Sequence, residues 1–265
     1  MRLATFNVLH GLSLADGAVS TPRLAAACAS LDADVLGLQE IDRGQARSGG
    51  VDQTAAVAEA VGAVSWRFAP ALIGEPGATW RAAADADSPS GTGLPGYGVG
   101  LVSRLAVRSW HVVRLAAARV RAPVVVPGGQ GRRGGVVLLA DEPRVALVAV
   151  VDAPFGPLAV ATTHLSFVPG WNVAQARRVA RAVAPLAPAA VLLGDFNLPP
   201  PFPRLATGWT ELARVRTFPA TDPSLQIDHA LGYGYLPAVE AVEARLLDLS
   251  DHRALLLDLA VPASN

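Results

Sequence analysis

Short apolar runs bounded by turn residues fill this chain and restrict it to folds that are built around β-sheets. Between residues 2 and 68 these runs alternate with helix-like segments, a pattern typical of α/β proteins. Between residues 97 and 163 six runs follow one another with short turns, which indicates antiparallel pairing. We find no repeat and no linker that would divide the chain. The sequence therefore predicts one α/β domain with two sheets over residues 1–265.

Three helices and a series of strands are predicted from these patterns. The helices cover residues 21–31, 51–61 and 171–187, with Thr21 as the N-cap of the first and Gly62 at the end of the second. Residues 74–96 are rich in Gly and Pro and predict a long loop, whereas residues 127–135 predict the tip of a hairpin. The predicted strands cover residues 2–8, 35–38, 64–68, 97–103, 106–115, 120–126, 135–140, 144–151, 158–163, 191–193, 226–231 and 252–261.

The composition excludes several classes of protein. Hydrophobic residues make up 51% of the chain and charged residues 17%, which is typical of a globular protein rather than a disordered one. The single cysteine, Cys28, excludes an internal disulfide and a Cys-rich zinc site. The formal net charge of +0 offers no long-range attraction to nucleic acid. We see neither a signal-peptide pattern nor an apolar run of about 18 residues. We therefore expect a cytoplasmic protein with no stable membrane insertion and no obligate protein partner.

Polar side chains concentrate where the apolar runs end. Carboxylates and asparagines in such positions offer hard oxygen ligands, which suit Mg²⁺ or Mn²⁺. An Asp–His pair beside the ion can orient and polarise an attacking water. Each residue alone is equally well explained as a turn cap or a buried core histidine, but their joint occurrence indicates metal-assisted hydrolysis of a phosphoester. The residues at these positions are Asn7, Glu40, Asp195, Asn197, Asp251 and three of the five histidines, His164, His229 and His252.

Six segments carry a resemblance to a known family. In chain order they are Thr5-Phe6-Asn7, Gln39-Glu40, Thr163-His164-Leu165, Gly194-Asp195-Phe196-Asn197, Ile227-Asp228-His229 and Ser250-Asp251-His252. In this order and spacing they resemble the endonuclease/exonuclease/phosphatase superfamily of metal-dependent phosphoesterases. That superfamily includes deoxyribonuclease I-like and exonuclease III-like nucleases, bacterial sphingomyelinases and inositol polyphosphate 5-phosphatases. The resemblance implies a four-layer α/β sandwich, in which two mixed, mainly antiparallel β-sheets pack face to face with helices outside.

The resemblance also implies a cofactor and its ligands. Asn7 and Glu40 would hold the metal, with Glu40 as the main ligand and Asp251 as a further one. The cofactor would be Mg²⁺ or Mn²⁺, and the number of ions, one or two, stays open.

The same resemblance implies catalytic roles for five residues. Asp195 would position or deprotonate the nucleophilic water, or protonate the leaving group. Asn197 and His164 would hydrogen-bond the scissile phosphate, and Asn7 would also contact the substrate. His252, held by Asp228, would contact the phosphate or act as a general base. The predicted catalytic set is therefore His164, Asp195, Asn197, Asp228 and His252.

The substrate is less constrained than the chemistry. Many relatives carry Gly-Asn-Ala where this chain has Gly98-Val99-Gly100, so we expect altered substrate contacts, with Tyr97 as a further substrate-binding residue. Tight basic clusters are confined to Arg132-Arg133 and to Arg177, Arg178 and Arg181. We predict a Mg²⁺-dependent phosphodiesterase that acts on nucleic acid, a small molecule or a lipid headgroup. The alternatives are a phosphatase, a sphingomyelinase-like lipid phosphodiesterase and a non-catalytic binding protein on the same fold.

Overall fold

The computed structural model describes residues 1–87, 93–126 and 135–261. Within these residues the helices are α1 (Thr21–Ala29), α2 (Gln53–Val61), α3 (Trp171–Val183) and α4 (Phe202–Thr207). The strands are β1 (Arg2–Asn7), β2 (Val35–Arg43), β3 (Ser65–Gly74), β4 (Trp80–Ala82), β5 (Gly96–Ser103), β6 (Val107–Leu115), β7 (Arg121–Val126), β8 (Gly135–Ala140), β9 (Arg144–Ala153), β10 (Gly156–His164), β11 (Ala189–Asp195), β12 (Thr210–Glu211), β13 (Asp228–Gly234), β14 (Val239–Arg245) and β15 (Ala254–Leu259).

The strands of the described residues form two large sheets and a separate ribbon. The seven-stranded sheet has the order β14-β15-β1-β2-β5-β3-β4, and the six-stranded sheet has the order β12-β13-β11-β10-β9-β6. Strands β7 and β8 pair only with each other in the described part of the chain. The pairs β1–β2 and β10–β11 are parallel, and the other described pairs are antiparallel. The predicted mixed, mainly antiparallel sheets are therefore confirmed.

Three apolar cores hold the layers together. Leu101 of the seven-stranded sheet and Leu147 of the six-stranded sheet belong to one core, which lies between the sheets. Leu24 of α1 and Val57 of α2 pack on the outer face of the seven-stranded sheet. Val179 of α3 packs on the outer face of the six-stranded sheet. Burial of apolar surface contributes about 25 cal/mol per Å², so the three cores stabilise the packing on both faces of both sheets. The predicted four-layer α/β sandwich is confirmed.

The two parallel pairs bring the polar strand ends to one place. In β1 and β2, Asn7 lies opposite Gln39, and in β10 and β11, His164 lies opposite Asp195. Parallel strands point their carboxyl ends the same way, so each pair presents its polar residues at a single edge of its sheet. A hydrogen bond of 3.1 Å from Asn7 Nδ2 to Asp195 Oδ2 joins the two edges. The candidate site lies where these edges meet.

A buried amide ties the sheets together beneath this edge. Gln39 Nε2 donates to Thr5 Oγ1 at 2.9 Å and to Thr162 Oγ1 of the opposing sheet at 2.8 Å. Both N–H groups of this fully buried amide are thereby satisfied, as burial requires. Gly37 leaves room for Thr162, since a Cβ at residue 37 would lie 2.6 Å from Thr162 Oγ1. The two sheets therefore approach each other closely at this point.

Several predicted bounds are wrong for identifiable reasons. Helix α1 is capped by Ser20, whose side chain accepts the Arg23 N–H, so the assignment of Thr21 as N-cap is wrong by one residue. Helix α3 ends at Val183, and the predicted helix continues only as a 3₁₀ turn over Ala184–Leu186 that contains a proline. Residues 74–96 are not a loop throughout, because β4 pairs with β3 in this stretch; residues 88–92 of the predicted loop lie outside the described residues.

Four elements escaped the sequence analysis, namely helix α4 and the strands β4, β12 and β14. Helix α4 has only 6 residues, and β14 is a mostly exposed strand at the edge of its sheet with little apolar alternation. Residues 127–134 of the predicted hairpin tip lie outside the described residues, and they include Arg132 and Arg133.

Among the helices of the described residues, none is long and apolar enough to span a bilayer. The single domain and the cytoplasmic location stay predictions.

We expect Gly37→Ala to lower the free energy of unfolding by about 1–3 kcal/mol, because the new methyl group would overlap Thr162 between two packed sheets. Chemical denaturation measures the loss. Gly96→Ala is the matched control, since the nearest atom to a Cβ at residue 96 is Phe68 Cε1 at 3.4 Å. Equal losses in the two variants would contradict the close approach of the sheets at Gly37.

Candidate active site

Glu40 reaches the site because β2 contains a β-bulge. Gln39 pairs with Val99 and Ile41 with Gly98, so Glu40 is an extra residue between consecutive pairs, with φ of 55°. The bulge shifts the alternation of the strand by one residue: Gln39 faces the opposing sheet, and Ile41 packs in the core under the helices. Glu40 is released from the alternation, with 20% of its side chain exposed. The prediction that this strand ends at residue 38 is wrong, since the bulge lets it continue to Arg43.

A turn that requires glycine presents Asp195 and Asn197. Gly194 has φ of 140°, and a Cβ there would collide with the backbone carbonyl of Thr163. Asp195 Oδ1 accepts the backbone N–H of Asn197 at 2.9 Å, and Asn197 adopts φ of 49°. An Asp that bonds the backbone two residues further on closes a tight turn. The Gly-Asp-Phe-Asn segment therefore sets the local backbone as well as supplying polar groups.

The amide of Asn7 lies between two carboxylates. Its Nδ2 donates to Glu40 Oε1 at 3.0 Å and to Asp195 Oδ2 at 3.1 Å, while its Oδ1 accepts the Leu9 N–H at 3.2 Å. One neutral donor shared in this way stabilises two neighbouring negative charges. Asn7 faces Glu40 with its nitrogen in this structure, so its role as a metal ligand stays a prediction.

His252 is held by a buried carboxylate. Its Nδ1 lies 2.9 Å from Asp228 Oδ2. Burial alone would lower the pKa of His252, but the charge and hydrogen bond of Asp228 outweigh it and raise the pKa to about 10. The ring is therefore an imidazolium near neutral pH, and its Nε2 lies 3.7 Å from Asp195 Oδ2.

Asp195 lies at the centre of the cluster. Its Oδ2 is 3.1 Å from Asn7 Nδ2, 3.5 Å from His164 Nε2 and 3.7 Å from His252 Nε2. Burial raises the pKa of Asp195 to about 7, with the His252 imidazolium opposing the shift and Asp228 adding to it. A carboxyl group that exchanges its proton near neutral pH has the property required of a general acid or base.

His164 is uncharged and faces nitrogen atoms at both ends of its ring. Burial lowers the pKa of His164 well below its usual range, and the Arg144 cation adds to this effect. Nδ1 lies 3.2 Å from Arg144 Nη1, and Nε2 lies 3.2 Å from Asn197 Nδ2. The structure thus brings together Asn7, Glu40, His164, Asp195, Asn197, Asp228 and His252.

Two other predicted residues lie beside the cluster. Asp251 is half-buried, and its carboxylate makes no hydrogen bond within the described part of the chain. Tyr97 is buried, and the Arg47 guanidinium carbon lies 5.4 Å from the centroid of the Tyr97 ring. Together with Arg144 and His164, Tyr97 borders a cavity of about 10 Å³. Burial raises the pKa of the Tyr97 phenol, so it stays protonated. Both functional assignments stay predictions.

His229 belongs to the core rather than to the cluster. Its Nε2 lies 2.8 Å from the Leu198 carbonyl, and its ring packs edge-on against Phe196 at 5.3 Å. Val99, at the position where relatives carry Asn, is buried in the core between the sheets.

Sequence reasoning missed three residues that support the cluster. The Thr217 hydroxyl donates to Asp228 Oδ2 at 2.5 Å, and no sequence pattern marks it. Ser250 Oγ donates to the Asn7 carbonyl at 2.6 Å and accepts the His252 N–H at 3.1 Å, although the segment Ser-Asp-His was itself recognised. Arg144 bonds His164, and the one sequence feature that could have pointed to it is a charged residue at the start of an apolar strand.

The donor set fits a divalent cation at Glu40. Oε1 of this carboxylate accepts the Asn7 amide, and Oε2 has no hydrogen-bond partner among the described residues. Mg²⁺ is usually bound by one or two carboxylates, with water and substrate oxygens completing the coordination. Asp195, Asp228 and His252 also bring three ligand atoms within 4.8 Å of one another. The 2.9 Å contact between His252 and Asp228, however, is a hydrogen bond that leaves no space for an ion between them.

Comparison with known proteins agrees with this geometry. A family model described as the Endonuclease/Exonuclease/phosphatase family matches residues 4–252. The chain belongs to this family. Members of the endonuclease/exonuclease/phosphatase family are generally phosphoester hydrolases that depend on a divalent metal.

Solved structures of the family share the fold. The chain is similar to an endonuclease/exonuclease/phosphatase from Beutenbergia cavernae, with 22% identity over 100% of this chain and 73% of that chain and a TM-score of 0.65. It is also similar to a mannosyl-6-phosphatase from Bacteroides thetaiotaomicron (15% identity, 98% of this chain and 99% of that chain, TM-score 0.60). A third similar structure is sphingomyelinase C from Streptomyces griseocarneus, with 15% identity over 98% of this chain and 99% of that chain and a TM-score of 0.57. No curated protein matches the chain. At these identities the likeness establishes the fold and leaves the substrate open.

We expect Asp195→Asn to stabilise the protein near pH 8, measured as the melting temperature in EDTA. The pKa of Asp195 rises from 3.8 to about 7 on folding, so its contribution to stability is fully present below pH 3.8 and is lost as the pH rises to about 7. Asparagine removes this loss, so the gain is larger near pH 8 than near pH 5. Each kcal/mol raises the melting temperature by roughly 2–4 °C in a chain of this size.

Asp258→Asn is the control with the opposite sign, because the hydrogen bond from Arg2 lowers the pKa of Asp258. Its substitution should destabilise the protein near pH 8. An equal gain for Asp195→Asn at both pH values would mean that Asp195 titrates in its ordinary range.

Proposed function

We propose that this family member hydrolyses phosphodiesters, with a divalent cation at Glu40 and water as the nucleophile. The observation that carries the proposal is the convergence of Asn7 Nδ2, His164 Nε2 and His252 Nε2 on Asp195 Oδ2, at 3.1, 3.5 and 3.7 Å. With Asn197 beside His164, these groups surround one position next to Glu40. A phosphoryl group at that position would meet donors on several sides.

Glu40 would hold the ion, with Asn7 and Asp251 as the further ligands predicted from the sequence. When bound, a divalent cation supplies charge stabilisation at the phosphoryl oxygens and lowers the pKa of a water molecule. Mg²⁺ and Mn²⁺ both suit a set of hard oxygen donors.

The protein's own groups divide the proton transfers between them. Asp195, with a pKa of about 7, accepts the proton of the attacking water in its ionised form. His252 has a pKa of about 10 and keeps its proton, so it donates to the phosphoryl oxygens as negative charge develops on them. Two neighbouring groups whose pKa values lie on opposite sides of the working pH are suited to opposite roles.

The groups that face this position directly favour a diester over a monoester. His164, Asn7 and Asn197 are uncharged donors, and the charge of His252 is balanced by Asp228. A phosphomonoester carries close to two negative charges near neutral pH, whereas a diester carries one. Uncharged donors beside one cation suit the singly charged group. The rest of the substrate can be nucleic acid, a small molecule or a lipid headgroup; the similar structures named above include a phosphatase and a sphingomyelinase.

We expect hydrolysis of bis-p-nitrophenyl phosphate in Mg²⁺ or Mn²⁺ and none in EDTA, with p-nitrophenyl phosphate and plasmid DNA as comparison substrates. Glu40→Gln, Asp195→Asn and His252→Gln should each lower kcat by about 100-fold or more while the circular dichroism spectrum is unchanged. His111→Gln is the matched control, because His111 lies on β6 with its Nε2 3.0 Å from Ser109 Oγ.

The outcomes separate the alternatives. Faster cleavage of the monoester would replace the diesterase assignment with a phosphatase. Full activity of both Glu40→Gln and His252→Gln would refute the assignment of the site. No turnover of any of the three substrates with either metal would favour the binding-protein alternative.

A further inference from the structure

We propose that Arg144 is a positioning residue that fixes the tautomer of His164, so that its imidazole presents an Nε2–H to the phosphoryl group. The catalytic consequence rests on the proposed function, whereas the tautomer itself is a property of the folded protein that can be measured without any substrate.

Arg144 occupies an unusual environment for an arginine. It begins β9, is 7% exposed, and takes part in none of the ion pairs among the described residues. Its Nη1 bonds His164 Nδ1 at 3.2 Å, and its Nε is buried without a hydrogen-bond partner. No carboxylate lies within ion-pair distance of it among the described residues, although its charge favours the ionised form of Glu142, and burying a cation so weakly compensated costs stability. A role in holding the fold together therefore does not account for this arrangement.

The chemistry of the guanidinium determines which ring nitrogen carries the proton. Arginine has five N–H donors and no acceptor, so His164 Nδ1 must accept the hydrogen bond from Arg144. The other tautomer would place a ring N–H against the guanidinium cation at 3.2 Å, whereas the Nε2–H tautomer places one against the neutral Asn197 amide at 3.2 Å, which is the smaller electrostatic cost. A neutral imidazole has one N–H, and the adjacent Arg144 cation disfavours a second one on Nδ1. The proton of His164 therefore resides on Nε2.

Without Arg144 the other tautomer has an acceptor available. Glu40 Oε1 lies 3.9 Å from His164 Nδ1, so a small rotation of the ring would let an Nδ1–H donate to this carboxylate. Nε2 would then be an acceptor, and the Asn197 amide, 3.2 Å away, would donate to it. Arg144 prevents this arrangement, in which both ring nitrogens of His164 would be engaged within the protein and Nε2 could not donate to a substrate.

With the proton on Nε2, two donors stand side by side without an acceptor between them. Asn197 Nδ2 already donates one hydrogen to the Leu165 carbonyl at 3.1 Å, which identifies this atom of the amide as the nitrogen. His164 Nε2 lies 3.2 Å from it and 3.5 Å from Asp195 Oδ2. A single phosphoryl oxygen can accept from both donors, and this gain is made only when substrate is bound.

Nitrogen NMR of histidine tests the tautomer directly, because long-range ¹H–¹⁵N spectra distinguish a protonated ring nitrogen from an unprotonated one. The chain has five histidines, and the signals of His164 are those lost in His164→Gln. We expect the Nε2–H form in the wild type in EDTA, and a shift to Nδ1–H or a mixture in Arg144→Met. An Nδ1–H form in the wild type overturns the proposal, and this measurement needs neither a variant of Arg144 nor enzymatic activity.

Kinetics distinguish action through His164 from direct contact with substrate. Arg144→Met should lower kcat by about 10- to 100-fold with a smaller change in KM, and Arg144→Lys should restore part of the loss. In the His164→Gln background, Arg144→Met should lower kcat by less than about twofold, because its effect passes through the ring that is already gone. A full additional loss in that background would mean that Arg144 binds substrate itself, and would overturn the proposal.

Arg104→Met is the matched control, since Arg104 bonds Asp32 and the Val61 carbonyl just beyond the opposite end of β5 from Tyr97. It should leave kcat unchanged. If the wild type hydrolyses no phosphoester, the proposed function fails, and the NMR spectra still decide the tautomer independently.

Discussion

Two parallel strand pairs, one in each sheet, determine where the functional groups of this protein lie. The backbone ladders β1–β2 and β10–β11 set the register of Asn7, His164 and Asp195 at the carboxyl ends of their strands. An antiparallel neighbour then adds Asp228, which lies directly opposite Asp195. Side chains placed by ladders inside a packed sandwich are held more rigidly than side chains on loops. The buried Gln39 amide joins the two ladders, so they behave as one support.

The arrangement of charge in the site follows from burial. Asp228, the His252 imidazolium and Asp195 form a sequence of alternating sign, and the neutral amide of Asn7 separates Asp195 from Glu40. Each neighbour lowers the cost of burying the next charge. The compensation is incomplete at Asp195, whose pKa of about 7 records the remaining cost. The same incomplete compensation makes Asp195 able to take up and release a proton at neutral pH, so activity and stability make opposite demands on this residue.

The sequence predicts the strands well because apolar runs bounded by turns reflect burial directly, and the segments Gly-Asp-Phe-Asn and Ser-Asp-His lie where the prediction puts them. The bulge at Glu40 was beyond prediction, because an extra residue in a ladder depends on the partner strand and leaves no periodic signal. The support from Thr217 and Arg144 depends on tertiary contacts across distant parts of the chain. Ser20 displaced Thr21 as the helix cap because both residues suit that position and only the backbone path decides between them.

The positive φ angles at Glu40, Asn197 and Ser250, of 55°, 49° and 69°, have a consequence for protein engineering. At Glu40 and Asn197 the side chain leaves a backbone conformation that an ordinary strand or helix cannot supply, and Ser250 adopts the same region two residues before His252. Copying the seven polar side chains onto a regular sheet of another protein would aim Glu40 and Asn197 in the wrong directions. A graft of this site has to carry the bulge and the two turns with it, and the smallest transferable unit is therefore a set of backbone segments rather than a set of amino acids.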